Sequence, residues 1–224
     1  MWPTSPDELI EVQRALATAA PDPWRPGDDP PAIGACVVVF PRGLSGQGSP
    51  GDPAWASAVV LRGRDVLAEA VVPGAAGAPY IPGLLALREG PCLESALRAL
   101  SVSPGVLLVD ATARDHPRRA GLAVHLGSVT GLPTIGVTHR PLLAAGDWPG
   151  AERGASSPLF LDGELVGAWL RTRAGARPLA IHPGWRTSLE VATRVVLSAA
   201  RGHRTPEPLR LARTLARVAR DAGG

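Results

Sequence analysis

The sequence predicts an α/β fold, with a mixed central sheet flanked by helices, on three observations. Apolar runs of strand length alternate with stretches of helical periodicity. Three early strands read as an antiparallel meander, and a strand, helix, strand succession between Val106 and Val137 reads as a parallel crossover. No internal repeat and no second core is visible, so residues 1–224 are expected to form one domain.

Leu9 to Ala20 reads as an amphipathic helix opened by Pro6 and Asp7 and closed by Pro21 and Pro23. Pro21 to Pro31 is a linker. Ile33 to Phe40 has strand length, and Pro41 to Pro53, rich in Gly, Ser and Pro, reads as a mobile turn. Trp55 to Leu61 and Val66 to Val72 follow, joined by the hairpin signal Arg62-Gly63-Arg64-Asp65. Two prolines stiffen the loop Pro79-Tyr80-Ile81-Pro82-Gly83. A helix is expected from about Pro91 to Leu100, a buried strand from Val106 to Asp110, a helix from Arg118 to Thr130 and a strand from Thr134 to Val137. Leu159 to Leu161 and Leu165 to Leu170 form a hairpin around Asp162-Gly163. Leu179 to Ile181 is the last strand, before helices at Ser188 to Arg201 and Leu209 to Arg220.

A chain of 224 residues buries roughly 70% of its unfolded surface, enough for a sizeable core. No apolar run reaches the ~18 to 20 residues that cross a bilayer. Acids at Asp7, Glu8 and Glu11 stand where a secretory leader carries positive charge, so the expectation is a cytoplasmic protein with no membrane contact, and a monomer. Two cysteines, Cys36 and Cys92, read as reduced thiols. The net charge of +3 excludes a histone-like polyanion binder and makes any nucleic-acid contact local. Lysine is absent, so arginine carries all the positive side-chain charge.

Asp110 closes an apolar strand, and acids at such carboxyl ends face the crevice where α/β sheets bind ligands; the alternative is a loop cap. Glu89, at the expected start of a helix, is a second acid for a metal site or else a partner of the helix dipole. Asp115-His116-Pro117-Arg118-Arg119 is a polar cluster opening a helix, suited to phosphate, though a solvated basic turn is the commoner meaning of an Arg pair. Arg210, Arg213, Arg217 and Arg220 recur at helical spacing, a basic stripe that reads either as a contact with a phosphate backbone or, the safer of the two, as a solvated face. His125 and the scattered tryptophans read as packing residues.

Taken together, Pro79 to Leu85 with Arg88-Glu89-Gly90-Pro91, His116-Pro117-Arg118-Arg119, Pro133-Thr134-Ile135-Gly136-Val137 and Pro206-Glu207-Pro208 resemble the endonuclease V family over most of the chain. The resemblance implies a ribonuclease H-like fold and magnesium-dependent hydrolysis, with manganese as a substitute, of DNA or RNA at inosine. It makes Glu89 and Asp110 metal ligands, Glu89, Asp110 and His139 catalytic residues, Ala111, His116, Arg118 and Arg119 substrate-binding, and Pro79, Tyr80, Ile81 and Pro82 a substrate-binding wedge that separates strands at the lesion.

Four positions depart from the family pattern. Cys36 in Ile33-Gly34-Ala35-Cys36 stands where the family has an aspartate, and a thiol is a poor magnesium ligand. His139 stands for a lysine, and Trp185 after Pro183-Gly184 for a histidine. Asp110-Ala111-Thr112-Ala113 replaces an Asp-Gly-x-Gly loop that lies against the extruded base, where the methyl groups of Ala111 and Ala113 are expected to crowd the approach. Relaxed selection on catalysis is favoured over a rebuilt site drawing on Asp115, His139 or His182, because rebuilding needs several ligands to converge closely. The expectation is therefore an endonuclease V-type protein of impaired catalysis; the alternatives are a non-catalytic nucleic-acid binder and an interaction domain.

Overall fold

The computed structural model describes residues 2–223. Its elements are α1 (Pro6–Thr18), β1 (Ile33–Val39), β2 (Pro53–Arg62), β3 (Asp65–Ala75), α2 (Leu85–Arg98), β4 (Val106–Val109), α3 (Leu122–Thr130), β5 (Thr134–Thr138), β6 (Ser156–Leu161), β7 (Glu164–Leu170), β8 (Leu179–Pro183), α4 (Leu189–Ala199) and α5 (Glu207–Ala222). All eight strands join one sheet in the order β3-β2-β1-β4-β5-β8-β7-β6. The centre, β1-β4-β5, is parallel, and the β1-β2-β3 meander and the β5-β8-β7-β6 run are antiparallel. The sheet is thus mixed, as the apolar runs predict.

Alternation along the central strands sorts the core into two layers. Cys36, Leu107 and Val109 face α1, α2 and α3, while Ala35, Val37, Val106 and Leu108 face α4 and α5. Among the described residues no helix is long and apolar enough to cross a membrane.

Two helices start elsewhere than expected. Pro91 resembles a first-turn proline, yet α2 begins six residues earlier, at Leu85, with Pro91 inside it. Packing outweighs the missing donor: Leu85, Glu89 and Leu93, four apart, share one face over the sheet. Glu89 therefore sits mid-helix and is no dipole partner. The second helix, α3, begins at Leu122 rather than Arg118, because Arg119 has φ of 54° and Gly121 is the N-cap. A side chain at Gly121 would come within 2.5 Å of the Thr112 carbonyl. Arg118 and Arg119 thus lie in the turn before the helix, and the anion site expected at its N-terminus is not formed by them. The Gly-rich segment 41–52 is tied down: the Tyr80 amide donates to the Gln47 carbonyl at 2.7 Å, and Asp52 pairs with buried Arg88 at 3.3 Å.

Candidate metal centre and nucleic-acid interface

Cys36, Glu89 and Asp110 line one crevice. A cavity of about 170 Å³ is walled by Cys36, Glu89, Asp110, Tyr80, Leu85 and Leu93, with Val109 behind them. The sheet explains the convergence: Cys36 of β1 pairs in register with Val109 of β4, and Asp110 is the next residue. Glu89 reaches the same place from α2, which packs on that face.

The electrostatics follow from burial. Desolvation raises Glu89 to about 8, with the Asp110 charge adding and Arg88 opposing. Cys36 is 1% exposed, and burial first, then Glu89 and Asp110, hold its thiol far above the normal range. A neutral thiol thus lines the crevice beside the two carboxyl groups. Among the described residues no group of three or more His, Cys, Asp or Glu is arranged to hold a metal ion. Two carboxylates remain, a donor set that magnesium accepts when substrate phosphate and water supply the rest.

Asp110 has a partner that the sequence reading assigned to a solvated face. Arg213 of α5 donates to the Asp110 carboxylate at 2.5 Å. Alternation accounts for it, since position 110 turns toward the α4 and α5 layer, as Val106 and Leu108 do. His139, exposed in the loop leaving β5, lies at the same end of the sheet, near enough that Arg204, Asp110 and Arg213 all act on it; burial and Arg204 lower its proton affinity most.

A second cavity of about 180 Å³ adjoins the first and shares Tyr80, Leu85, Asp110 and Leu122 with it. Ala111, Thr112, Gly83, Gln13, His116 and Thr138 line the remainder. Ala113 is fully buried in the core instead. Tyr80, 45% exposed, stands at the junction of the two cavities. Pro79, Ile81 and Pro82 continue this loop, with Ile81 packed on the core.

The base of the loop is clamped at Gly83, whose φ of +80° suits only glycine. Its carbonyl accepts from Arg118 at 2.9 Å, from Gln13 Nε2 at 3.0 Å and from His116 Nε2 at 3.0 Å. Because a carbonyl only accepts, His116 carries its proton on Nε2, while Nδ1 accepts from the Arg118 amide at 3.2 Å. Burial keeps this histidine neutral by lowering it to about 4. His116 and Arg118 therefore hold the loop from below rather than stand open to phosphate. Arg119 likewise points away, to Asp162, Glu164 and the Leu161 carbonyl, each at 3.1 Å.

Three further residues are not brought to the crevice. Trp185 bonds Thr134 through both backbone groups, at 2.8 and 2.9 Å, and packs on Gly127. Thr134 begins β5 and Thr138 ends it beside Asp110, so Trp185 lies at the opposite end of the sheet, roughly 13 Å away at the usual strand rise. Asp115 is buried and accepts three amides, of Leu142, Leu143 and Ala144, at 2.5, 2.8 and 2.7 Å. Among the described residues the ring of buried His182 hydrogen-bonds only Thr138 Oγ1, at 3.2 Å, and it lines neither cavity. Neither Asp115 nor His182 joins Cys36, Glu89 and Asp110 in the crevice.

Gln13 and Arg213 were the residues missed. Gln13 had a signal, because Leu9, Gln13 and Leu16 share the buried stripe of α1, where an unpartnered amide is costly. Arg213 had none beyond its periodicity.

In sequence and in fold the chain is similar to endonucleases V. The family model described as Endonuclease V matches residues 43–214. The endonuclease V of Streptomyces avermitilis is 44% identical over 170 residues, covering 75% of this chain and 74% of that protein. The crystal structure of endonuclease V from S. avermitilis superposes with a TM-score of 0.87 at 36% identity, covering 100% of this chain and 96% of that one. A Ciona intestinalis endonuclease V in complex with DNA containing an inosine followed by a ribo-adenosine shares the fold, with a TM-score of 0.79, 20% identity and coverage of 97% and 98%. By its sequence, its sheet topology and the matched length, this chain belongs to the endonuclease V family.

Proposed function

We propose that this chain acts on inosine-containing nucleic acid as an endonuclease V whose metal site is reduced to two carboxylates, so that cleavage is slow. The carrying observation is the neutral, buried Cys36 thiol between Glu89 and Asp110. Glu89 and Asp110 would hold magnesium, or manganese in its place, which when bound would supply Lewis-acid stabilisation of charge on the phosphodiester. Tyr80 stands on a loop braced by Gln13, His116 and Arg118, suited to replace the stacking of a displaced base. The base enters the cavity lined by Ala111, Thr112 and Leu122, which excludes water from it. His139, exposed in the loop that leaves β5 at the Asp110 end of the sheet, meets the phosphate.

The test is cleavage of a labelled inosine strand with magnesium or manganese by the wild type, Cys36→Asp and Glu89→Ala. Slow cutting, accelerated in Cys36→Asp and abolished in Glu89→Ala, is expected. Wild-type activity no greater than that of Glu89→Ala rejects an enzyme. The Arg213 to Asp110 ion pair favours one second reading, a strand binder that does not cut. Selective retention of the inosine strand with no cleavage under either metal supports it.

A further inference from the structure

The face of α5 beside the crevice carries its own basic cleft, of about 260 Å³, lined by Arg204, Arg210, Arg213, Arg217 and His203. Two of these guanidinium groups are engaged locally. Arg210 grips Glu207 at 2.5 and 2.9 Å, and Arg204 donates to the carbonyls of Arg177 and Pro178 at 2.7 and 2.8 Å. Arg217 is exposed and has no ion-pair partner among the described residues. Arg213 alone belongs to both places: it lines the basic cleft and reaches across to Asp110.

That double membership creates a conflict. A divalent cation and a guanidinium repel one another, so an Asp110 that balances Arg213 is a poorer metal ligand. Arg213 is 22% and Asp110 35% exposed, and an ion pair so open to water is weakly held. A phosphodiester is a better match for the planar fork of arginine, and the cleft offers it Arg217 as a second cation.

We infer that Arg213 exchanges Asp110 for a backbone phosphate of the incoming strand in the α5 cleft, so that strand binding frees Asp110 for the metal. The inference rests on the proposed two-carboxylate site and adds a coupling to it. Linkage makes the coupling reciprocal: the strand tightens metal binding by the factor by which metal tightens strand binding.

The test is titration of manganese into the full chain with and without an inosine-free oligonucleotide, corrected for metal taken up by free oligonucleotide. In the wild type the strand is expected to tighten manganese binding about five-fold or more. Arg213→Gln is expected to bind manganese more tightly than wild type without any strand, and to lose most of the strand effect. Arg213→Lys, which keeps the charge, stays near wild type. A wild-type affinity indifferent to the strand, or Arg213→Gln that matches wild type in both conditions, overturns the coupling while leaving the two-carboxylate site intact. Glu89→Ala that binds manganese as wild type does removes the site itself, and the coupling with it.

Discussion

Cys36 stands in register with Val109, one residue short of Asp110, and this pairing of parallel strands places an uncharged thiol where a magnesium site wants an oxygen anion. The consequences are measurable.

Cys36→Asp adds a third carboxylate beside two that already repel, in a place where Glu89 is pushed to about 8. Without metal the variant is expected to be less stable than wild type by about 2 kcal/mol, the scale for burying a poorly compensated acid. Millimolar manganese should reverse the loss. Thermal melts with manganese and with chelator measure both, and a variant equally stable in each contradicts the placement.

Three side chains brace the loop 79–83 at the Gly83 carbonyl. Arg118→Ala removes one donor to Gly83 and the partner of Gln13 together. Hydrogen exchange at the amides of Tyr80, Ile81 and Gly83 should accelerate about ten-fold, while the amides of β4 and β5 stay protected. Uniform acceleration throughout the chain would instead show a global loss of stability.

Asp115 is predicted to be structural. Asp115→Ala strands three amides of the segment 142–144 and should cost about 3 kcal/mol in urea unfolding. Manganese affinity of the folded variant should equal that of wild type, and a loss of affinity would return Asp115 to the metal site.

Acid should destabilise the fold through its buried histidines. His116 and His125 are lowered to about 4 by burial, against about 6.5 when unfolded. Between those values the unfolded chain binds more protons, so this contribution is complete above about pH 6.5 and is lost as pH falls toward 4. Each histidine accounts for about 3 kcal/mol at most. His125→Phe, which keeps a ring against Trp2, should flatten the dependence of urea stability on pH in that window; an unchanged slope would refute the assignment.

Much of this fold was legible in sequence because its central strands are short apolar runs bounded by Pro, Gly and Asp, which leave few alternatives. Glu89 and Asp110 were legible for the same reason, one lying in a compact motif and the other at a strand end. The start of α2 was not, since the Pro91 signal is local and the packing of Leu85 and Leu93 is not. Trp185 misled because adjacency to Pro183-Gly184 does not say which end of the sheet the chain has reached; β8 runs antiparallel to β5 and carries it away. Arg213 was hidden among evenly spaced arginines, and only the alternation that turns Asp110 toward α5 singles it out.

Trp185→His follows as a negative prediction: manganese affinity and cleavage rate should both match wild type, and a gain in either would mean that this end of the sheet reaches the site.

The most direct measurement is calorimetric titration of manganese into the wild type and Cys36→Asp. Two carboxylates and a neutral thiol predict weak wild-type binding that tightens at least about ten-fold in the variant, a gain of about 1.4 kcal/mol. Equal affinity in the two proteins would contradict the proposal that Cys36 occupies a ligand position.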